Sequence, residues 1–285
     1  MTHCQSLTLE KIIVYPVKSL SGIDVKQWPL TPQGLQYDRH WMLVMPNGRF
    51  VSQRQIPSMT LINTGIEQES LILSAEGHGE VRLPLVRHHS SEVLSATIWR
   101  DQCDVVEASE VASAWLNNVL KPAKPLRLVS MADDFIRPQS HPERFGEHTF
   151  TAFADAAPYL VANTSSLERL NQQLNKQQQP SVDMRRFRPN FVISGPGAFE
   201  EHQLSSLQHE DGVMLNLRDH CERCIMVTID PDTGHKAVDM EPFNTLIELN
   251  PMPDKPKAPA FAVNATLEPA RNTIWKCGDV LTAQA

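Results

Sequence analysis

Residues 219–234 read Asp219-His220-Cys221-Glu222-Arg223-Cys224-Ile225-Met226-Val227-Thr228-Ile229-Asp230-Pro231-Asp232-Thr233-Gly234. Two of the five cysteines stand within four positions, separated by Glu222 and Arg223, and they run into an apolar segment that ends at a Pro-Asp-Thr-Gly turn. The apolar run predicts a strand over Cys224 to Asp230, with the turn fixing its end and a thiol on rigid support at its start. Arg223 and His220 would favour the thiolate of a neighbouring thiol, which is the form that attacks or ligates a metal. On the residues alone the pair stays open to several readings. It is half of a structural zinc site, a redox dithiol, one metal ligand with a neighbour, or two unreactive buried cysteines. Cys4, Cys103 and Cys277 are singletons, which speaks against four-thiolate zinc, and a thioredoxin-type dithiol would open a helix.

Composition sets the frame around this stretch. The chain has 285 residues, 41% hydrophobic and 21% charged, which is a globular balance with ample material for a core. A net charge of −7 argues against broad nucleic-acid binding. No apolar run approaches the roughly 20 residues that span a bilayer, and Met1 to Glu10 lacks the pattern of a secretory signal. An odd number of cysteines without framework spacing predicts reduced thiols and a cytoplasmic location. The two glycosylation patterns, at Asn163 and Asn264, carry no meaning without secretion.

Upstream, the first ~95 residues read as strands separated by turn residues, a density that suggests a small barrel or curled sheet. Leu7 to Val14 is β-rich. Trp41 to Met45 and Arg49 to Gln53 flank Asn47-Gly48, a hairpin signal, and a second hairpin is predicted from Leu71–Leu73 to Val81–Leu83. A helix capped by Ser109 is predicted to run to Pro122, with Val111, Trp115, Leu116, Val119 and Leu120 as its apolar stripe. A second helix starts near Ser165, where Ser165-x-x-Glu168 forms a capping box, and it fades in a glutamine-rich end. Strands return at Asn190 to Ser194, Val213 to Leu217 and near Val280, while Pro251 to Pro259 reads as an extended surface connection. The composition changes near Lys121 to Pro125, so we divide the chain into residues 1–123 and 124–285.

Two further clusters carry charge. Met184-Arg185-Arg186-Phe187-Arg188-Pro189-Asn190 places three arginines in four positions, either as surface ion pairs or as an anion site in which guanidinium forks grip phosphate. Tyr15-Pro16-Val17-Lys18-Ser19, Tyr37-Asp38-Arg39-His40-Trp41 and Ser52-Gln53-Arg54-Gln55 each set a cation beside a turn.

Taken together, YPVKSLSG, YDRHWMLV, NGRFVSQRQ, FADAAPYLVANTSSLERLN, RRFRPNFVISG, CERCIMVTIDPDTG and CGDVLTA resemble the MOSC superfamily. More narrowly, they resemble the mitochondrial amidoxime-reducing components and their bacterial YcbX-type relatives, over about Leu7 to Leu281. The resemblance implies an α+β, β-rich fold. An N-terminal β-barrel-like domain packs on a MOSC β-barrel with peripheral helices, and a molybdenum cofactor (molybdopterin) lies in the cleft between them. Cys224 matches the thiolate that ligates molybdenum, a soft ligand suited to that metal. Lys18, Ser19, Arg39, Arg188 and Asn190 match positions that hold the pterin and its phosphate. Arg223 adjoins the ligand, and Asp155 sits beside the pocket with a catalytic part. Cys221 also has a counterpart but is not read as a ligand. The implied activity is reduction of small N-hydroxylated compounds, with a competing sulfur-carrier reading in which Cys224 bears a persulfide. The chain shows no C-x4-C-x2-C spacing of a [2Fe–2S] domain, so electrons are expected from a separate flavin or iron–sulfur protein. The membrane-anchoring N-terminus of the mitochondrial members is likewise not expected, and residues 252–266 depart from the family pattern.

Overall fold

The first strand, Cys4–Val14, closes a barrel with strands from the other end of the chain. In the computed structural model, which describes residues 4–86, 92–137, 140–147 and 149–285, it pairs with Phe191–Ser194 on one side and Val280–Gln284 on the other. The ring continues through Tyr159–Asn163, Ala260–Glu268, Met214–Glu222 and Ser206–Gln208, giving seven strands with no open edge in the ring. All neighbours are antiparallel except Tyr159–Asn163 and Phe191–Ser194, which run parallel with helix Thr164–Lys176 in their connection. Leu9, Ile193, Leu215, Val263 and Leu281 point into the barrel and are sealed from water. Each contributes roughly 1.5–3 kcal/mol over an exposed position.

The other half wraps a second core. A four-stranded sheet of Trp41–Val44, Arg127–Met131, Asp101–Glu107 and Val93–Ile98 stands beside a three-stranded meander, Asn63–Glu67, Ser70–Ala75 and Gly79–Pro84. Helix Glu110–Leu120 closes this core, with Leu116 and Leu120 packed against Leu71, Leu83 and Leu128. The result is an α+β, β-rich molecule with an N-terminal barrel-like half on a closed C-terminal barrel. A cut at residue 123 does not separate the sheets. Cys4–Val14 belongs to the second barrel, and Arg127–Met131 belongs to the first half's sheet. Among the described residues, no helix is long and apolar enough to cross a membrane.

Several local expectations change. The arm after Asn47-Gly48 forms only isolated bridges, Val44 to Phe50 and Arg49 to Thr97, because the chain leaves the sheet toward the cleft. Ser109 caps its helix as expected, accepting from the Ala112 N–H, but Val111 is exposed and the buried stripe starts at Ala112. The second helix is capped by Asn163 rather than by a Ser165 box, its side chain accepting from the Ser165 N–H at 3.1 Å. Asn163 is fully buried and Asn264 nearly so, which explains both glycosylation patterns as interior residues. Strand Ala260–Glu268, which begins inside the segment without family pattern and runs past its end, is buried along almost its whole length. Cys103, Cys221, Cys224 and Cys277 are free thiols, and the Cys4 side chain lies outside the described residues.

Candidate functional site

Cys224 does not start a strand. Strand Met214–Glu222 carries two register shifts against its neighbour, at Leu217/Asp219 and His220/Glu222, which bend it as it leaves the barrel. The chain then turns and Ile225–Thr228 forms a 3-10 helix with Cys224 at its N-cap. Local bonds satisfy this backbone: the Val227 N–H donates to the Cys224 carbonyl and the Thr228 hydroxyl to the Ile225 carbonyl. A short apolar run fits a strand or one turn of helix equally, and the burial of Val227 and Thr228 decides for the turn.

The arginine on the Cys224 sulfur is also unexpected. Arg54 Nη2 donates to Cys224 Sγ at 3.2 Å, whereas Arg223 Nη1 donates to Cys221 Sγ at 2.9 Å. Burial pushes the Cys221 thiol above its ordinary value even though Arg223 pulls it back. The two thiols of the pair are therefore served by different cations from different halves of the chain. Among the described residues, no group of three or more His, Cys, Asp or Glu side chains is placed to hold a metal ion.

Around Arg54 a polar network reaches the first half. The Arg54 guanidinium lies 4.6 Å from the centre of the Trp99 ring. The Trp99 indole N–H donates to Asp155 Oδ1 at 2.8 Å, and Lys18 Nζ donates to the same oxygen at 2.5 Å and to the Phe153 carbonyl at 2.8 Å. Burial works to raise the Asp155 carboxyl, but Lys18, Trp99 and Arg54 outweigh it and hold it well below the usual carboxylate range. Lys18, almost fully buried, is pulled down by desolvation, with Asp155 opposing.

A second group of cations surrounds Tyr15. Arg39 and Arg188 both pack on its ring, with guanidinium carbons 4.4 and 4.3 Å from the centre. Arg39 pairs with Asp38 and donates to the Arg188 carbonyl at 3.0 Å, while Arg188 Nη1 donates to the Leu20 carbonyl at 2.6 Å. Arg188 Nη2 and the Tyr15 hydroxyl are buried without a hydrogen-bond partner, as is Arg223 Nε. Burial lowers Arg188 to about 10 and pushes the Tyr15 phenol up to about 12. Ser19, Arg39 and Arg188 all hold positive φ (70°, 51° and 54°), a left-handed backbone that side chains other than glycine rarely adopt. Such residues cost on the order of 1–3 kcal/mol each and gather where function requires them.

The other expected residues divide. Asn190 spends its amide inside the barrel, donating to the Ile13 carbonyl and accepting from the Leu160 N–H, so it positions strands. Ser19 is buried and its carbonyl takes the Gln53 amide at 2.7 Å. Arg185 forks onto Asp232 and Arg186 pairs with Asp230, both fastening the Pro-Asp-Thr-Gly turn. Only Arg188 of the three turns toward Tyr15. A cavity of about 750 Å³ between the halves is lined by Tyr15, Arg188, Ser21, Ile62 and Asp232. It adjoins the arginine end of the site and does not reach Cys224 or Asp155.

Sequence reading placed Arg54 only as a cation near a turn and gave no signal for Trp99. What the geometry offers is a thiol in hydrogen-bond contact with a guanidinium, an ionised carboxylate, and Lys18, Arg39, Arg54 and Arg188 together. These cations outnumber the carboxylates beside them, Asp38 and Asp155, so the arrangement suits an anionic ligand.

The family model of the MOSC N-terminal beta barrel domain matches residues 6–123, and that of the MOSC domain matches residues 148–258. The chain is 32% identical over 246 residues to mouse mitochondrial amidoxime-reducing component 1, covering 84% of this chain and 70% of that protein. The corresponding human protein is 31% identical over 245 residues, with 84% and 71% covered. Cattle molybdenum cofactor sulfurase is 29% identical over 251 residues, which cover 83% of this chain but 28% of that protein.

Proposed function

This chain belongs to the MOSC family, as a relative of the mitochondrial amidoxime-reducing components, and from that premise we propose a molybdenum-cofactor-dependent reductase of N-hydroxylated compounds. The substrate class is hydroxylamino-purines, amidoximes and hydroxamates, reduced as R–NHOH + 2e⁻ + 2H⁺ → R–NH₂ + H₂O. The observation that carries the reading is Cys224, a thiol at the meeting of the two halves whose sulfur takes the Arg54 guanidinium.

The residues fit the cofactor. A soft thiolate is available at Cys224, and Arg188 Nη2, Arg223 Nε and the Tyr15 hydroxyl are buried donors without partners. Cys224 Sγ would ligate molybdenum, while Arg188 and Arg39, with Lys18 and Ser19 near them, would hold the pterin and its phosphate. When bound, the cofactor supplies the two-electron chemistry that opens the N–O bond. Arg54 fixes the sulfur. Asp155, held ionised by Lys18 and Trp99, serves as a hydrogen-bond acceptor for the substrate and not as its acid. Electron delivery is assigned to a separate flavin or iron–sulfur protein.

The second reading is favoured by the sulfurase relatives: Cys224 would carry a persulfide and the cations would hold an anionic acceptor. Protein made in a host that synthesises the cofactor separates the two. Molybdenum and pterin near one per chain, with reduction of a hydroxylamino-purine by the chemically reduced protein, supports the first. Cyanide-releasable sulfur on Cys224 with neither metal nor pterin would establish the second.

A further inference from the structure

Resting on the reading of Cys224 as the centre of a reductive site, we infer that Trp99 and Asp155 form the subsite for the substrate's planar part. The part they would take is a conjugated or aromatic group bearing an N–H donor.

Trp99 and Arg100 link two strands, Val93–Ile98 and Asp101–Glu107, with Ile98 paired to Asp101. Trp99 sits at φ 56°, a conformation that two-residue hairpin links normally give to glycine, asparagine or aspartate. A bulky aromatic residue there is strained, and the surrounding contacts must hold it. They are the hydrogen bond to Asp155, the Arg54 guanidinium against the ring, and Phe50 edge-on at 5.2 Å. Despite these contacts the residue is 47% exposed. Turn formation explains neither the tryptophan nor its exposure, since a small polar residue would build the same link at lower cost.

Asp155 completes the subsite. Lys18 and Trp99 both donate to Oδ1, and the side chain is 56% exposed, so Oδ2 takes neither donor. Arg54 connects the ring to the Cys224 sulfur through contacts of 4.6 and 3.2 Å. One rim therefore carries a flat π surface, an anionic acceptor and the thiol. A planar amidoxime or hydroxylamino-heterocycle stacks on the indole and gives an N–H to the carboxylate, with its N–O end on the thiol side. A saturated analogue with the same head group reaches only the carboxylate.

Benzamidoxime and acetamidoxime share the amidoxime head and differ in the ring, so they isolate the stacking contact. Their binding to the full chain is measured by calorimetry for the wild type, Trp99→Phe and Trp99→Leu, after thermal melts confirm folding. The wild type should prefer benzamidoxime by roughly two- to tenfold, the range of an aromatic pair. Trp99→Phe should keep most of that preference and Trp99→Leu should bring it close to one. An unchanged ratio in Trp99→Leu, or no preference in the wild type, overturns the assignment. Binding is read without turnover, so the two readings fail separately. A preference erased by Trp99→Leu in a cofactor-loaded protein that reduces nothing keeps the subsite and sinks the reductase. Reduction with an unaltered ratio does the reverse.

Discussion

Replacing Arg188 by methionine should leave the cofactor-free protein nearly as stable as before while stripping it of its cofactor affinity. The guanidinium makes one strong contact, to the Leu20 carbonyl at 2.6 Å, and rests on the Tyr15 ring at 4.3 Å. A charge-assisted hydrogen bond contributes about 1.5–3 kcal/mol and the ring contact about 0.5–2 kcal/mol. Against these stands the burial of a charge whose Nη2 has no partner. Burial lowers Arg188 to about 10, which corresponds to roughly 3 kcal/mol of unreturned desolvation. The opposing contributions nearly cancel, so Arg188→Met should change stability by no more than about 2 kcal/mol, or a few degrees in melting temperature. The anion's contact with the free fork is lost entirely, and retention should fall about ten- to a hundredfold. Arg188→Lys should rescue it poorly, because an ammonium is a point charge and not a planar fork. The assay pairs melts of cofactor-free protein with molybdenum and pterin per chain after expression in a cofactor-producing host. A loss of 4 kcal/mol or more without cofactor would make Arg188 a structural strut. Unchanged molybdenum content in both variants would refute the anion site.

Cys224→Ser should abolish reduction with the fold intact, whereas Cys221→Ala should keep the molybdenum content and most of the rate; equal collapse in both would favour a paired-thiol mechanism. Since Arg54 and not Arg223 touches the Cys224 sulfur, Arg54→Ala should slow alkylation of Cys224 several-fold at neutral pH and Arg223→Ala should not. Peptide mass spectrometry reads this, and the opposite ranking would count against the geometry. Burial, with the nearby His220, holds His202 at about 3, below its ordinary 6.5, so the unfolded chain takes up a proton that the folded chain refuses. Stability from this group is complete above pH 6.5 and is lost as pH falls toward 3, at up to about 1.4 kcal/mol per pH unit. His202→Phe should flatten the urea-unfolding stability between pH 6 and 4, and parallel curves for the two proteins would exclude the effect. Gly48 holds φ 77° and a Cβ there would meet the Ser95 carbonyl oxygen at 2.3 Å, so Gly48→Ala should cost on the order of 2–4 kcal/mol. A chemical denaturation midpoint equal to the wild type would show that the turn yields freely.

The sequence determined the elements whose causes are local. Ser109 caps a helix because its hydroxyl meets an N–H three residues on, and Leu71–Leu73 pairs with Val81–Leu83 across a glycine-rich turn. Motif order was enough to show the MOSC architecture, and it is what nominates Cys224, Lys18, Arg39 and Arg188 for the proposed site, because a dense run of unusual residues needs no coordinates to be recognised. Tertiary structure alone decided the rest. Ile225–Thr228 is a helical turn because Val227 finds its partners in residues far along the chain, such as Leu246 and Phe261. Cys4–Val14 leaves its own half because the second barrel needs a strand between Phe191–Ser194 and Val280–Gln284. Arg223 serves Cys221 while Arg54 crosses 170 positions of sequence to reach Cys224. Charge and side-chain reach act through space, so which cation meets which thiol cannot be written in spacing along the chain.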